Sequence, residues 1–144
     1  MLRVEPQIKQ DYVATGQVAL LFRHVIDHGA SSSLAHHTAE CAGAQEPLAF
    51  WRIHDLIFER QGELWNATEQ TMVALAEEIG LDGAALQACL SDPAIADKVT
   101  RLDQQRRDAG IRLRPSFDVN GRIIQGGLPY EQLAAVLDEA IAEK

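Results

Sequence analysis

The sequence predicts an α/β chain: one strand near the N-terminus, a long helical block, then a β-hairpin and a closing helix. Three observations carry that reading. Gln17-Val-Ala-Leu-Leu-Phe-Arg-His24 is a short apolar run of strand type, of the kind buried on both faces. Asn120-Gly121 sits between two short runs that alternate apolar and polar residues, the strongest local hairpin signal, because both central turn residues need positive φ. Between about 33 and 109 the apolar spacing is almost wholly helical.

Taken in order, Glu5 to Thr15 reads as helix, with Val4, Ile8, Tyr12 and Val13 near 3.6 spacing and Gly16 as its stop. Gly29 to Ser33 reads as a loop, with Ser33 capping a helix to about Gln45. Pro47 suits the first turn of the next helix, which carries Phe50, Ile53, His54, Ile57 and Phe58 on one face. Asn66-Ala-Thr-Glu69 resembles a capping box for Gln70 to Ile79, and Gly80 ends that helix. Asp82 caps a short helix to Leu90. Asp92-Pro93 opens a longer one to about Asp108, whose charged middle, Arg101 to Asp108, reads as a solvated face. Pro115 opens the first hairpin run, where a missing N–H costs least. Pro129 to Ala142 closes the chain with Leu133, Val136, Leu137 and Ile141 as an apolar stripe. The connections are short, so the expectation is a single domain over 1–144 with a helical insertion at about 33–109.

Bulk properties exclude several classes. A net charge of −8 and a pI near 5.0 oppose a nucleic-acid or anionic-membrane partner. There is no run of 18 apolar residues and no apolar signal core at the start, so the chain as written reads as cytoplasmic, with no membrane span.

Candidate chemistry is sparse. Cys41 and Cys89 are the only cysteines, and no Cys-x-x-Cys is present. Their spacing leaves open two buried free thiols or one disulfide closing a long loop. His24 and His28 are four apart and His36-His37 lies nearby, but an i, i+4 pair binds metal only on one helix. His24 ends a strand-like run and Asp27-His28-Gly29 looks like a turn, so no metal site is expected. His54, on an apolar helix face, reads as a core histidine paired with a carbonyl or with Asp55. Ser31 to Ser33 beside His36 or His37 reads as capping rather than a nucleophilic triad, since nothing marks an oxyanion hole. No P-loop, Gly-x-Ser-x-Gly or dinucleotide glycine pattern occurs, and no cofactor is expected. Gly126-Gly127 before a helix can bind an anion in principle, but Pro129 removes a donor and a plain turn is the simpler reading.

Several stretches then line up with one family. Ala35-His-His-Thr-Ala-Glu-Cys-Ala-Gly-Ala-Gln45, followed by Phe50-Trp-Arg-Ile-His-Asp-Leu-Ile-Phe58, is similar to the helical insertion of bacterial disulfide oxidoreductases of the DsbA type. Leu75-Ala-x-x-Ile-Gly-Leu81 and Ala88-Cys-Leu90 continue the likeness, and Gly110 to Gly121 resembles the segment that holds the family's cis-proline. The resemblance implies a thioredoxin-like fold, protein or peptide substrates and thiol–disulfide exchange. It also implies that Pro115, with Arg114 before it, contributes to substrate binding, and that Cys41 and Cys89 can bridge as a structural disulfide.

The departures shape the expected function. The family's central strand leads into Cys-x-x-Cys at a helix start, and residues 1 to 16 resemble only the later part of that helix. On this reading the first central strand and the catalytic cysteines would lie before Met1, so no catalytic residue is assigned. The chain is expected to be redox-inactive by itself, because exchange needs a thiolate and a nearby resolving thiol. A full-length parent would be extracytoplasmic. A non-redox peptide-binding module using the Pro115 groove or an open sheet edge is the alternative. Arg114 stands where the family prefers a small or β-branched residue, and Asp118 where an apolar one is usual, so one sheet face is expected to be wetter. The sheet, short of a strand, is expected either to pair the Val18 to His24 run with the hairpin or to expose an apolar edge at Val18 to Phe22 or Phe117 to Ile124 and form a homo-oligomer through it.

Overall fold

The computed structural model describes residues 3–143. The chain forms two compact units, one made of the residues up to Phe22 together with those from Arg106 onward, the other of Arg23–Gln105.

In the first unit, α1 (Glu5–Ile8) carries a proline in its first turn and widens into a π-helical stretch over Lys9–Val13. Strands β1 (Ser116–Val119) and β2 (Arg122–Gln125) pair antiparallel, with Phe117 opposite Ile124 and Asp118 opposite Ile123. Asn120 and Gly121 both take positive φ, 52° and 93°, as the two-residue turn demands. Helix α7 (Tyr130–Ala142) follows, with Pro129 as its N-cap. Alternation along β1 turns Phe117 and Val119 toward a core of Ile8, Tyr12, Leu133 and Leu137, with Val18 and Ile141 packed around it. Asp118 faces the other way and is exposed, and its carboxylate accepts the Gly121 N–H at 2.8 Å. The expected wetter sheet face is this one.

The second unit is helical: α2 (Gly29–Gln45), α3 (Ala49–Glu59), α4 (Glu69–Glu78), α5 (Gly83–Leu90) and the start of α6 (Pro93–Asp108). Ile53, Met72 and Leu86 are fully buried at its centre. Each stabilises the fold by about 1.5–3 kcal/mol relative to an exposed side chain. The buried side of α2 is built from small residues, Thr38, Ala39, Cys41 and Ala42. A Cβ on Gly43 would sit 3.1 Å from the Phe50 Cβ, so the missing side chain is what lets α3 come this close.

Three expectations from the sequence need correction. The run from Gln17 to His24 is not a strand: residues 18–27 carry no helix or strand. Burial still alternates along it, with Leu20 partly buried, Leu21 77% exposed and His24 buried. Extended backbone becomes a strand only when another pairs with it, and β1 pairs with β2 instead. The run is also not buried on both faces, and it does not pair with the hairpin. Second, α2 starts at Gly29 rather than Ser33, and Ser33 lies inside it, donating to the Gly29 carbonyl. Third, the box that opens α4 is Thr68 with Thr71, each hydroxyl accepting the other's backbone N–H. Thr-x-x-Thr offers the same reciprocal bonds as the expected Asn66-x-x-Glu69, two residues downstream.

The charged middle of α6 is only partly solvated. Asp103 and Arg106 are 5% and 9% exposed. Asp103 accepts the Ile26 N–H at 3.1 Å, and Arg106 donates to the Ile111 carbonyl at 3.0 Å. They continue the helical stripe of buried Val99, four and seven residues on.

Both tyrosines are tied to carboxylates within the first unit. Tyr12 donates to Asp138 at 2.8 Å, and Tyr130 donates to Asp11. Burial and then Asp138 hold the Tyr12 hydroxyl above its ordinary value, while the hydrogen bond to Asp11 pushes Tyr130 up to about 12. An acid raised in the fold stabilises it fully below its unfolded value of 10, and that stability is lost as pH climbs through the folded value. Ultraviolet titration is therefore expected to show less tyrosinate at pH 10 in the folded than in the unfolded chain, with ionisation and loss of stability together above it. Tyr12→Phe should cost about 1 kcal/mol in urea denaturation.

Candidate functional site

The Arg114–Pro115 peptide bond is cis. Several bonds fix the loop around it. Gly126 donates to the Pro115 carbonyl at 2.9 Å, and the Ser116 hydroxyl donates to the Leu113 carbonyl at 2.6 Å. The Gln125 side chain ties the approach to the strand: its oxygen accepts the N–H groups of Arg112 and Leu113, at 2.8 and 3.2 Å, and its amide donates to the Gly110 carbonyl. Gly127 lies against the proline ring, where an added Cβ would stand 3.6 Å from the ring carbon. Gly126 takes positive φ, 97°, in the bend that follows β2. Arg114 is exposed and Leu113 is 57% exposed, so the loop presents one cationic and one apolar side chain to solvent beside the cis bond. Ile123 on β2 is also exposed.

Cys41 and Cys89 are joined by a disulfide with Sγ–Sγ 2.07 Å and Cα–Cα 5.7 Å. The bond links α2 to α5 in the second unit. Cys41 is fully buried in the hydrophobic core and Cys89 is partly buried. Exchange requires a thiolate to reach a sulfur along an open line, and the buried Cys41 offers none.

The remaining candidates fall into place locally. His54 is 5% exposed, with Nδ1 2.9 Å from the Asp55 carboxylate, as the sequence suggested. The Ser31 and Ser32 hydroxyls donate to the carbonyls of Trp65 and Val25, at 2.6 and 3.5 Å, so with Ser33 all three are engaged with backbone. His28 is exposed, 3.6 Å from Asp27. His24 instead faces His36 and Glu40, a grouping that the His24/His28 spacing did not reveal. Its signal was the i, i+4 placement of His36 and Glu40 on one helix face. Among the described residues, no helix is long and apolar enough to cross a membrane.

A cis-proline loop leading into an antiparallel hairpin and a terminal helix, with a disulfide-bonded helical block ahead of it in the chain, defines a thioredoxin-like protein. The chain belongs to the thioredoxin family, whose model matches residues 2–139. It is 25% identical over 146 residues to disulfide bond formation protein D of Bacillus subtilis, covering 96% of this chain and 64% of that protein. It is 29% identical over 142 residues to Na(+)/H(+) antiporter NhaA 1 of Salinispora arenicola, covering 97% of this chain and 21% of the antiporter. The crystal structure of oxidised BdbD from Bacillus subtilis superposes with a TM-score of 0.84 at 24% identity, over 95% of this chain and 76% of that one. The chain thus spans less than two thirds of the Bacillus protein D and about a fifth of the antiporter.

The disulfide closes a loop of 48 residues. In the chain-entropy model a loop of that length stabilises by about 4 kcal/mol. Cys41→Ser with Cys89→Ser is expected to lower unfolding stability by roughly that amount. Urea melts of the oxidised and doubly substituted proteins give the difference directly.

Proposed function

We propose that this chain is a DsbA-type scaffold that does not exchange disulfides with its own residues. The observation that carries the reading is the use of its cysteines. There are only two, no Cys-x-x-Cys is present, and both are joined in a bond whose Cys41 end is fully buried. The features that would hold a polypeptide substrate in the resembled family, Pro115 in cis with Arg114 before it, are nonetheless kept. Relatives named for disulfide bond formation support protein thiols or disulfides as the chemistry of the larger protein from which this fold descends. A structural disulfide also favours an oxidising compartment over the cytosol for the working protein.

A second reading, that of a peptide-binding module without redox chemistry, is favoured by the sheet. With only two strands among the described residues, β1 has one side unclaimed by β2, and Leu113 and Ile123 lie exposed nearby. An extended peptide can add to such an edge through main-chain hydrogen bonds. A second copy of this chain can use the same edge, so a homodimer through Phe117 to Ile124 or Val18 to Phe22 belongs with this reading.

Two measurements test these readings. In an insulin-reduction assay the chain is expected to give no rate above buffer; turnover that disappears in Cys41→Ser would overturn the redox-inactive reading. Light scattering at about 100 μM, in the range where weak strand-edge contacts populate, is expected to show a dimer that Ile123→Lys dissociates. A monomer that binds no peptide, before or after the cysteine substitutions, would remove the second reading.

A further inference from the structure

His24 is 1% exposed, and α2 engages both of its ring nitrogens. Its Nε2 lies 2.6 Å from the Glu40 carboxylate, and its Nδ1 lies 3.0 Å from the Nδ1 of His36. The other His36 nitrogen, Nε2, lies 2.9 Å from the Val25 carbonyl. A hydrogen-bonded series thus runs Glu40, His24, His36, Val25, and it fastens residues 23–27 to α2. Asp103 on α6 holds the same segment through the Ile26 N–H at 3.1 Å.

Each of the three links in this series needs one hydrogen. A carbonyl only accepts, so His36 donates its Nε2–H to Val25. A second hydrogen lies between Glu40 and His24, and a third between the two Nδ1 atoms. Two neutral imidazoles and a carboxylate bring only two hydrogens. The links are complete when the group has taken up one further proton, so that His24 donates from both nitrogens and the His36 Nδ1 accepts. A second extra proton has no place. With a hydrogen on both Nδ1 atoms, two donors and two cations would face each other across 3.0 Å.

We propose that His24 and His36 form an acid-sensitive clasp, which holds residues 23–27 on α2 through one shared proton and releases them when His36 takes up a second. The charged and titratable groups around it are Asp27, His37, Glu40 and Lys98, with Asp103 on the Ile26 N–H. Burial holds the His36 imidazole down to about 4; its bond to Val25 opposes this, the His24 charge adds to it, and Asp27 and His37 act in opposite directions. A base held below its ordinary 6.5 in the fold contributes stability that is present above that value and lost as pH falls toward 4. Glu40 keeps its charge throughout that window, since the His24 bond, against the cost of burial and with Lys98 adding to it, holds its carboxyl down to about 2. His37 is lowered as well, by burial and then by His24, but belongs to none of the links.

The test uses the whole chain with its disulfide intact. Amide hydrogen exchange, corrected for the intrinsic rate at each pH, reports the clasp through the Ile26 N–H, with Ile53 in the core of the same unit as reference. Between about pH 7 and about pH 4.5 the Ile26 protection factor is expected to fall roughly tenfold or more relative to Ile53. His36→Asn leaves an amide oxygen that can accept from His24 and does not titrate, so its Ile26 protection should stay level; His37→Ala should fall as the wild type does. Nitrogen NMR of the imidazoles reads the protons directly: three of the four ring nitrogens of this pair should carry hydrogen near neutral pH, and all four in acid. Should His36→Asn fail to fold, the wild-type nitrogen spectrum still decides. Level protection in the wild type, a fall that His36→Asn shares because acid acts through Asp103, or only two protonated ring nitrogens near neutral pH would overturn the proposal.

Discussion

A two-stranded hairpin cannot bury enough surface to stand by itself in water. The first unit depends on overcoming that constraint, and it does so with helices rather than further strands. Phe117 and Val119 reach a core whose buried members, Ile8, Tyr12, Leu133 and Leu137, come from the two ends of the chain. Tyr12 then ties the N-terminal helical segment to Asp138 on α7, so residues 126 apart close over one face of the hairpin. The other face is left to Asp118 and solvent. The loop before the hairpin is held through its own backbone groups, with the Gln125 side chain reaching back to Gly110, Arg112 and Leu113.

The second unit meets a different constraint. Helices of eight to seventeen residues are marginal alone, so they are stabilised by contact. Small residues on α2 let α3 approach, and the Cys41–Cys89 bond ties α2 to α5. The disulfide is buried at its Cys41 end, and in the other unit the loop before β1 holds Pro115 in cis.

His24 shows how a buried polar group becomes informative. Enclosing an imidazole is costly unless its nitrogens are engaged, and His36, Glu40, Lys98 and the Val25 carbonyl together do so. Burial holds the His36 imidazole down to about 4, against the small opposing pull of its bond to Val25, which keeps that ring neutral near pH 7.

Much of this was legible in the amino-acid order. Asn120-Gly121 announced a turn because few residues tolerate positive φ, Asp82 and Asp92 announced helix starts because their carboxylates satisfy free N–H groups, and Gly80 and Gly110 announced helix ends. Residues 35–58 and 110–121 pointed to the fold and to Pro115. These signals are local, set by each residue's own backbone and its neighbours within a turn. What needed the tertiary structure was every pairing across distance. The 18–24 run alternates like a strand, yet alternation cannot supply a partner; two cysteines 48 residues apart can be thiols or a bond until the packing of α2 on α5 brings them together. Asp103 and Arg106 read as solvated until their place on the Val99 stripe is seen, and His24 meets His36 only once the loop folds onto α2. Local conformation is written in short-range sterics and hydrogen bonding, whereas pairing depends on where the chain returns.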